Sequence, residues 1–498
     1  MIFKPTLVDI KSIGYYLGKI VIGYGLLLFI PFIISLCYGE YPDGLNLAIG
    51  LFCCLIAGYG LLLFCPHTPT LSWMQGMVVV SLAWLLFMFL GAIPLWLSGH
   101  FTSYLDACFD SMSGLATVGL SLFQDLDHAS HSIQMWRFLQ AFVGGQGMIL
   151  IAVIFLSRVG GVSGLYAGEG REDRILPNIT HTAREIWKIT FICLCLGTCA
   201  LWIAGINDGF SPQESFWHGL WLFISSWDTC GFAPQGMGMI YYHSRNMELI
   251  TMICFILGSM SFALHHSILS GNRKEIFRDI EIIVLVVSVT ILFAILCKGL
   301  QQNNIYPNVA CLVQKGLYIL MSAHTTTGHQ TVYPSQFINE WGQISMCVLI
   351  IAMAIGACAG STGGGIKLLR IGIIIKGIIQ DITRLAAPDS AIIKDKFHHI
   401  KDIFLDDKVV RAALLITLLF IFIYGIGALI GVCYGYPFLN AIFESVSTAS
   451  GTGLSCGITA LSMPDVLKIV YIFEMWAGRL EFMSVLALIG FVMALAKR

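Results

Sequence analysis

The sequence predicts an all-α integral membrane protein: four helix–pore-loop–helix repeats around a central pore, preceded by two extra transmembrane helices. Three observations predict it. Of the 498 residues, 57% are hydrophobic and 11% charged, with a mean hydropathy of +0.81, whereas a soluble domain carries about a quarter charged residues. Separate apolar runs of about 20 residues recur along the chain, the length that a helical span requires. A short Thr- and Gly-rich run also appears four times, at intervals of about a hundred residues, as Ser111–Ser121, Trp227–Phe232, Thr325–His329 and Ser450–Leu454. Self-similarity at a fixed period is the signature of a repeat architecture.

Residues 1–70 predict the two N-terminal helices, over 14–37 and 45–65, joined by the turn Gly39-Glu40-Tyr41-Pro42-Asp43. The first run is too long for a signal-peptide core and is read as retained. Residues 71–170 form repeat one, with spans 71–98 and 133–157 and a short helix from Ser103 between them. Residues 171–275 form repeat two, with spans 187–206 and 247–270. Between them, Ser211-Pro212-Gln213-Glu214 reads as an N-cap serine, a proline at the first helical position and a capping-box glutamate. Residues 276–400 form repeat three, with a span 280–297, a short helix from Asn308, and a second span from Gly342 that Gly356–Gly365 interrupts. Residues 401–498 form repeat four, with spans 412–433 and 466–496 and a short helix from Pro437. The segment 376–411 is the most polar part of the chain and is expected to be a loop.

Lysine and arginine concentrate in 1–19, 158–188, 273–278, 367–411 and 497–498, which the positive-inside rule places in the cytoplasm. The opposing segments 38–44, 99–133, 206–246, 298–340 and 434–468 hold 12 acidic residues and 4 Lys/Arg. Ten spans with both termini cytoplasmic satisfy this pattern, and they leave an acidic outer vestibule that concentrates cations. The loop 66–70, placed inside by this topology, has no basic residue.

Irregular backbone survives at membrane depth only where it is buried or lines a watery cavity. Rings of backbone carbonyls from such loops replace an ion's hydration shell in potassium pores. The four runs therefore predict one filter per chain, with glycine where the backbone must turn and approach the ion closely. The short helices that precede them would aim their C-termini, each equivalent to about half a negative charge, at the axis. A cation is then stabilised without being bound too tightly to leave. Asp228 and His329 flank filter glycines and are expected to face the vestibule. There they would tune flux with outside pH, since histidine changes charge within the physiological range; the alternative is that His329 packs against its pore helix as a neutral ring.

Gly360–Gly365 with Lys367 superficially resembles a phosphate-binding loop. It fails as one: Lys367 does not directly follow the last glycine, no Ser or Thr follows it, and no strand precedes it. Five glycines in the ten residues 356–365 cannot form a stable helix interior, each costing about 1 kcal/mol relative to alanine. A broken helix beneath the third filter is a natural gate; the alternative is close helix packing through small residues. Arg479, inside the last span, is expected to pair with Glu481 or Glu474 or to project into the pore. His265-His266 and His398-His399 sit near span ends or in the polar loop and are read as interfacial or solvated. The 16 cysteines are scattered through apolar spans, without a metal-type cluster. No clustered nucleophile, base or metal centre marks an enzyme.

Cys358–Lys367, Trp136–Gly147, Gly478-Arg479-Leu480-Glu481 and the two extra N-terminal helices together resemble the membrane subunits of the Trk/Ktr/HKT superfamily of potassium transporters, and its Trk branch in particular. The resemblance covers nearly the whole chain. It implies potassium as the substrate and no covalently bound cofactor. It further implies a homodimer in the lipid bilayer of the bacterial inner membrane, on a cytosolic nucleotide-binding (TrkA-like) regulatory ring, with no nucleic-acid partner. Carried onto this chain, the potassium-binding filter is Thr117-Val118-Gly119, Thr229-Cys230-Gly231, Thr326-Thr327-Gly328 and Gly451-Thr452-Gly453. The intramembrane gate is Gly363, Gly364 and Gly365, with Arg479 close by. A serine at the first filter glycine goes with sodium transport in relatives, so Gly119 points to potassium. Asp228 and His329 depart from the pattern, in which a neutral residue and a phenylalanine are usual. The competing expectation is a sodium-permissive or ion-coupled symporter on the same scaffold. Inverted repeats would mark a coupled transporter, whereas these repeats run in parallel.

Overall fold

The computed structural model describes residues 5–65, 71–147, 179–303, 305–388 and 395–496. Most of the basic loop 158–188, the end of the span expected over 133–157, and the loop 66–70 lie outside the described residues.

Helices account for most of it, because within lipid each backbone N–H and C=O must be satisfied inside its own segment. Helix α1 (Leu7–Leu27) begins at a capping box between Thr6 and Asp9, and α2 (Phe29–Tyr38) continues its line. Helix α3 (Tyr41–Phe64) returns against them. The two legs meet through glycines: a Cβ on Gly18 would lie 2.8 Å from the Gly58 carbonyl oxygen. Close approach of backbones through small residues is how apolar helices associate where lipid is as apolar as leucine.

Four units follow, each a long helix, a short pore helix and a returning helix. Repeat one has α4 (Trp73–Leu97), α5 (Tyr104–Leu115) and α6 (His131–Gln146). Repeat two has α7 (Ile179–Asn207), α8 (Pro212–Trp227), α9 (Arg245–Gly258) and α10 (Phe262–Leu269). Repeat three has α11 (Ile280–Gln302), α12 (Val309–His324), the short α13 (Pro334–Asn339), α14 (Gly342–Ile355) and α15 (Leu368–Ala386). Repeat four has α16 (Asp407–Cys433), α17 (Phe438–Ser450), α18 (Asp465–Arg479) and α19 (Met483–Ala496). The predicted starts of the pore helices hold: Ser103, Ser211 and Asn308 each cap the amide three residues on, and Pro437 precedes the fourth.

Among the described residues, six helices are long and apolar enough to cross a membrane, or eight if each bent pair is one span. The bent pairs correct the expectation of unbroken spans over 247–270 and 466–496. Helices α9 and α10 meet at 97°, and α18 and α19 at 108°. The cause is glycine pressed onto the end of a pore helix, one of the few causes of a sharp kink. A Cβ on Gly258 would lie 2.0 Å from the Trp227 carbonyl oxygen, and one on Gly478 1.9 Å from that of Ala449. Gly144 meets Leu115 in repeat one in the same manner, at 1.8 Å. Beyond Gly478 the chain reverses through left-handed Glu481 and Phe482 (φ 47° and 64°).

The polar segment 376–411 is likewise not a plain loop. Helix α15 runs on to Ala386, and an antiparallel hairpin, β1 (Lys396–His399) with β2 (Lys401–Phe404), pairs His398 with Asp402 and turns at Ile400. Each strand is only four residues long, too short for an alternating pattern to stand out in the sequence. The core between the repeats holds Trp84, Trp136, Trp227 and Trp341, all fully buried. The outer faces carry exposed apolar side chains such as Leu63, Leu418 and Phe422, the surface a lipid solvent requires.

Candidate pore and gate

The four pore loops share one backbone conformation, and the residues explain it. Two positions before each filter glycine the chain is left-handed, at Thr117 (φ 53°), Thr229 (φ 49°), Thr326 (φ 55°) and Gly451 (φ 73°). The next amide donates back to the pore helix at 2.8 Å in every repeat: Val118 to Ser113, Cys230 to Ser225, Thr327 to Ser322 and Thr452 to Ser447. That amide is tied down, which leaves the carbonyls of the turn free to line an axis. The glycines follow at φ 82–88°, a region in which an L side chain is strained.

These glycines close a ring. A Cβ on Gly119 would lie 2.0 Å from the Cys230 oxygen, on Gly231 2.3 Å from Thr327, on Gly328 1.9 Å from Thr452, and on Gly453 1.7 Å from Val118. Each repeat's glycine thus seats the middle carbonyl of the next repeat, in cyclic order. The predicted filter residues are brought together in one place.

On one side of the ring lies a cavity of about 260 Å³, lined by the four glycines with Arg137, Gln330 and Tyr333 among others. Arg137 is fully buried. Its Nε donates to Asp110 at 3.0 Å, and its guanidinium lies 4.3 Å over the Phe232 ring. Ser121, just past the first filter glycine, bonds both Asp110 and Arg137. An ion pair inside the membrane is stable only with such complete pairing, and here it braces the first loop from behind.

Of the two vestibule residues, Asp228 needs correction. Asp228 does not face this cavity: it is fully buried at the end of α8, where its Oδ1 accepts from Gln146 Nε2 at 2.9 Å, beside Gly145. Helix geometry carries the side chain of the residue just before the turn back beneath the ring. His329 borders the cavity but is 1% exposed, with Nε2 3.1 Å from Ser226 Oγ. The ring therefore packs against repeat two instead of standing in the entrance.

On the other side the space narrows to a cavity of about 30 Å³. The glycine-rich loop lines it through Gly360, Ser361, Gly363 and Gly364. The Gly364 amide donates to Thr326 Oγ1 at 2.7 Å, and a Cβ on Gly364 would lie 2.1 Å from the Ser450 oxygen. Thr362 Oγ1 reaches the carbonyls of Trp227 and Gly258 at 2.9 and 2.8 Å. The loop thus touches the undersides of repeats two, three and four. Arg479, at the bend after α18, closes the circuit: Nη1 donates to the Thr362 carbonyl at 2.7 Å and Nη2 to that of Gly144 in repeat one. It does not pair with Glu474, which bonds Ser445. Glu481 instead joins Arg370 and lies 3.9 Å from Lys367, whose Nζ donates to the Gly363 carbonyl.

Sequence reading missed two sets of residues here. The serine six positions before each filter glycine, at 113, 225, 322 and 447, is a repeated signal that alignment of the four runs would have exposed. Lys367, Arg370 and Glu481 are brought together only by the fold.

Membrane-crossing helices in four units, four loops meeting at one ring, and a glycine-rich loop beneath it define a multi-pass membrane transport protein. The profile of the TrkH family, described as cation transport protein, matches residues 43–494, and the chain belongs to that family, one of transporters and not enzymes. It is 32% identical over 488 residues to an uncharacterised cation transporter of Methanocaldococcus jannaschii, covering 98% of this chain and 97% of that one. It is 27% identical to the Trk system potassium uptake protein TrkH of Escherichia coli, covering 96% and 98%. The crystal structure of the potassium transporter TrkH from Vibrio parahaemolyticus superposes with a TM-score of 0.81 at 25% identity, over 96% of this chain and 98% of that one.

Proposed function

We propose that this chain carries potassium into the cell across the plasma membrane, through one channel-like pore per chain. The observation that carries the reading is the closed ring in which each filter glycine seats the neighbouring repeat's carbonyl. Such a ring offers oxygen ligands from all sides at fixed spacing, the chemistry that substitutes for an ion's water. Relatives over nearly the full length are named as potassium uptake proteins of the Trk system, which supports potassium as the ion. The filter is Thr117–Gly119, Thr229–Gly231, Thr326–Gly328 and Gly451–Gly453.

The gate is the glycine-rich loop, with Gly363, Gly364 and Gly365 beneath the ring and Arg479 holding it across to repeat one. Its charges favour the closed state. Lys367 and Arg479 border the narrow space against the single carboxylate of Glu481, so an entering cation meets net positive charge. Opening requires the loop to leave, and the Trk naming of relatives supports a cytosolic nucleotide-binding ring as the part that moves it, acting on a homodimer with both termini in the cytoplasm. Rubidium and potassium uptake in a transport-deficient host, with and without a candidate ring protein, tests the reading. Saturable potassium uptake that sodium does not match is expected. Equal potassium and sodium flux would favour the sodium-permissive alternative, and no flux with or without the partner would overturn the proposal.

A further inference from the structure

The hairpin β1–β2 sets His399 against the start of α11. Asp279 caps that helix: its Oδ1 accepts from the Glu281 amide at 2.8 Å, and its Oδ2 lies 3.0 Å from His399 Nδ1. Glu281 is arranged alike. Its Oε1 accepts from the Ala359 amide at 2.6 Å, in the arm leading into the glycine-rich loop, and its Oε2 lies 3.8 Å from the same Nδ1. One nitrogen and two carboxylate oxygens thus converge within 4.8 Å of one another. Asp279, Glu281 and His399 are only 1, 1 and 4% exposed.

This is not a row of acids on one surface. The imidazole arrives from a separate element, paired into register by the hairpin, and each carboxylate has its second oxygen fixed by a backbone amide. Bracing of that kind is what orients metal ligands.

We propose that Asp279, Glu281 and His399 form a binding site for a first-row divalent cation of the zinc or manganese class. Mixed imidazole and carboxylate ligands suit these ions, whereas magnesium and calcium take oxygen ligands alone. Three protein ligands leave a position for water. The bound ion pins the hairpin to the base of repeat three and, through Glu281 and Ala359, to the arm of the glycine-rich loop. The site goes beyond the conduction reading and is tested without measuring flux.

The purified full-length chain is stripped with chelator, dialysed against zinc, manganese or magnesium separately, and assayed for bound metal and thermal midpoint. About one equivalent of zinc or manganese per chain is expected, with a raised midpoint and no retained magnesium. His399→Gln should weaken binding by about 100-fold, at the upper end of what even outer-shell changes cost, and abolish the thermal shift. His398→Gln should keep both, because that ring is held by Glu275 and Asp402. If His399→Gln does not fold, Glu281→Gln decides by the same measurements. Failure of the parent to retain zinc or manganese, equal retention of magnesium, or unchanged binding in the His399 or Glu281 variant overturns the site.

Discussion

Gly119 shows how a single residue can set what passes the ring. Its φ is 88°, and a Cβ there would lie 2.0 Å from the Cys230 carbonyl oxygen. A serine must therefore strain its own backbone, by about 1–3 kcal/mol, and push the neighbouring carbonyl off the ring. Gly119→Ser is expected to lower the preference for rubidium over sodium by about tenfold, the factor that about 1.4 kcal/mol represents; paired tracer uptake in the two ions checks this. At the same scale, the seat of His329 against Ser226 changes the expectation about pH. His329→Phe should leave the curve of rubidium uptake against outside pH superimposable on the parent's. A histidine-dependent fall in uptake on acidification would show that the ring swings into the entrance.

At the scale of elements, the glycine-rich loop and the outer turn make separate predictions. Deleting Gly363, Gly364 and Gly365 removes the part of the loop lying on Thr326 and Ser450, and should raise basal rubidium flux several-fold. Arg479→Gln, which releases the Thr362 and Gly144 carbonyls, should raise it less. Unchanged or lower flux in a well-expressed deletion variant would leave the loop a packing element. On the turn between α2 and α3, Glu40 accepts from the His131 and Ser132 amides at 2.9 and 3.0 Å and faces His131 Nδ1 at 3.0 Å. Burial alone would raise its pKa, but these donors hold it down at about 2 from the usual 4.5. Because the folded value is depressed, the stabilisation is complete above about pH 4.5 and is lost as pH falls toward 2. Glu40→Gln should cost about 1–3 kcal/mol at neutral pH, and the gap to the parent should close over that window in acid unfolding of the purified protein.

The whole molecule is a closed ring of repeats, and the seam between the fourth and the first is carried by few polar contacts. Lys468 at the start of α18 meets Asp106 of the first pore helix at 2.6 Å, and both are buried. Trp476 Nε1 donates to the Ser81 carbonyl in α4 at 3.1 Å. Removing one partner of a buried pair strands the other charge, at a cost of about 3–5 kcal/mol. Lys468→Met should therefore lower the thermal midpoint sharply, and Lys468→Met with Asp106→Asn together should recover part of the loss. A small effect in the single variant would mean that this ion pair does not hold the seam.

The sequence by itself determined the solvent, the repeat and the four loops that meet in the ring. Apolar runs of spanning length settle that the chain lives in lipid, because no other medium tolerates them. Four Thr- and Gly-bearing runs mark where the backbone leaves the helix, because glycine weakens a helix and the run recurs at a fixed period. These are properties of neighbouring residues, and period and composition record them. Only the tertiary structure decided where side chains meet across repeats. Arg479 holds Thr362 and Gly144, residues 117 and 335 positions away, and no local pattern encodes such a distance. The same limit explains the misplaced Asp228, whose carboxylate finds Gln146 behind the ring. It also explains the unbroken helices wrongly expected over 247–270 and 466–496. A glycine in an apolar run reads as a packing residue until a pore helix is seen to end against it.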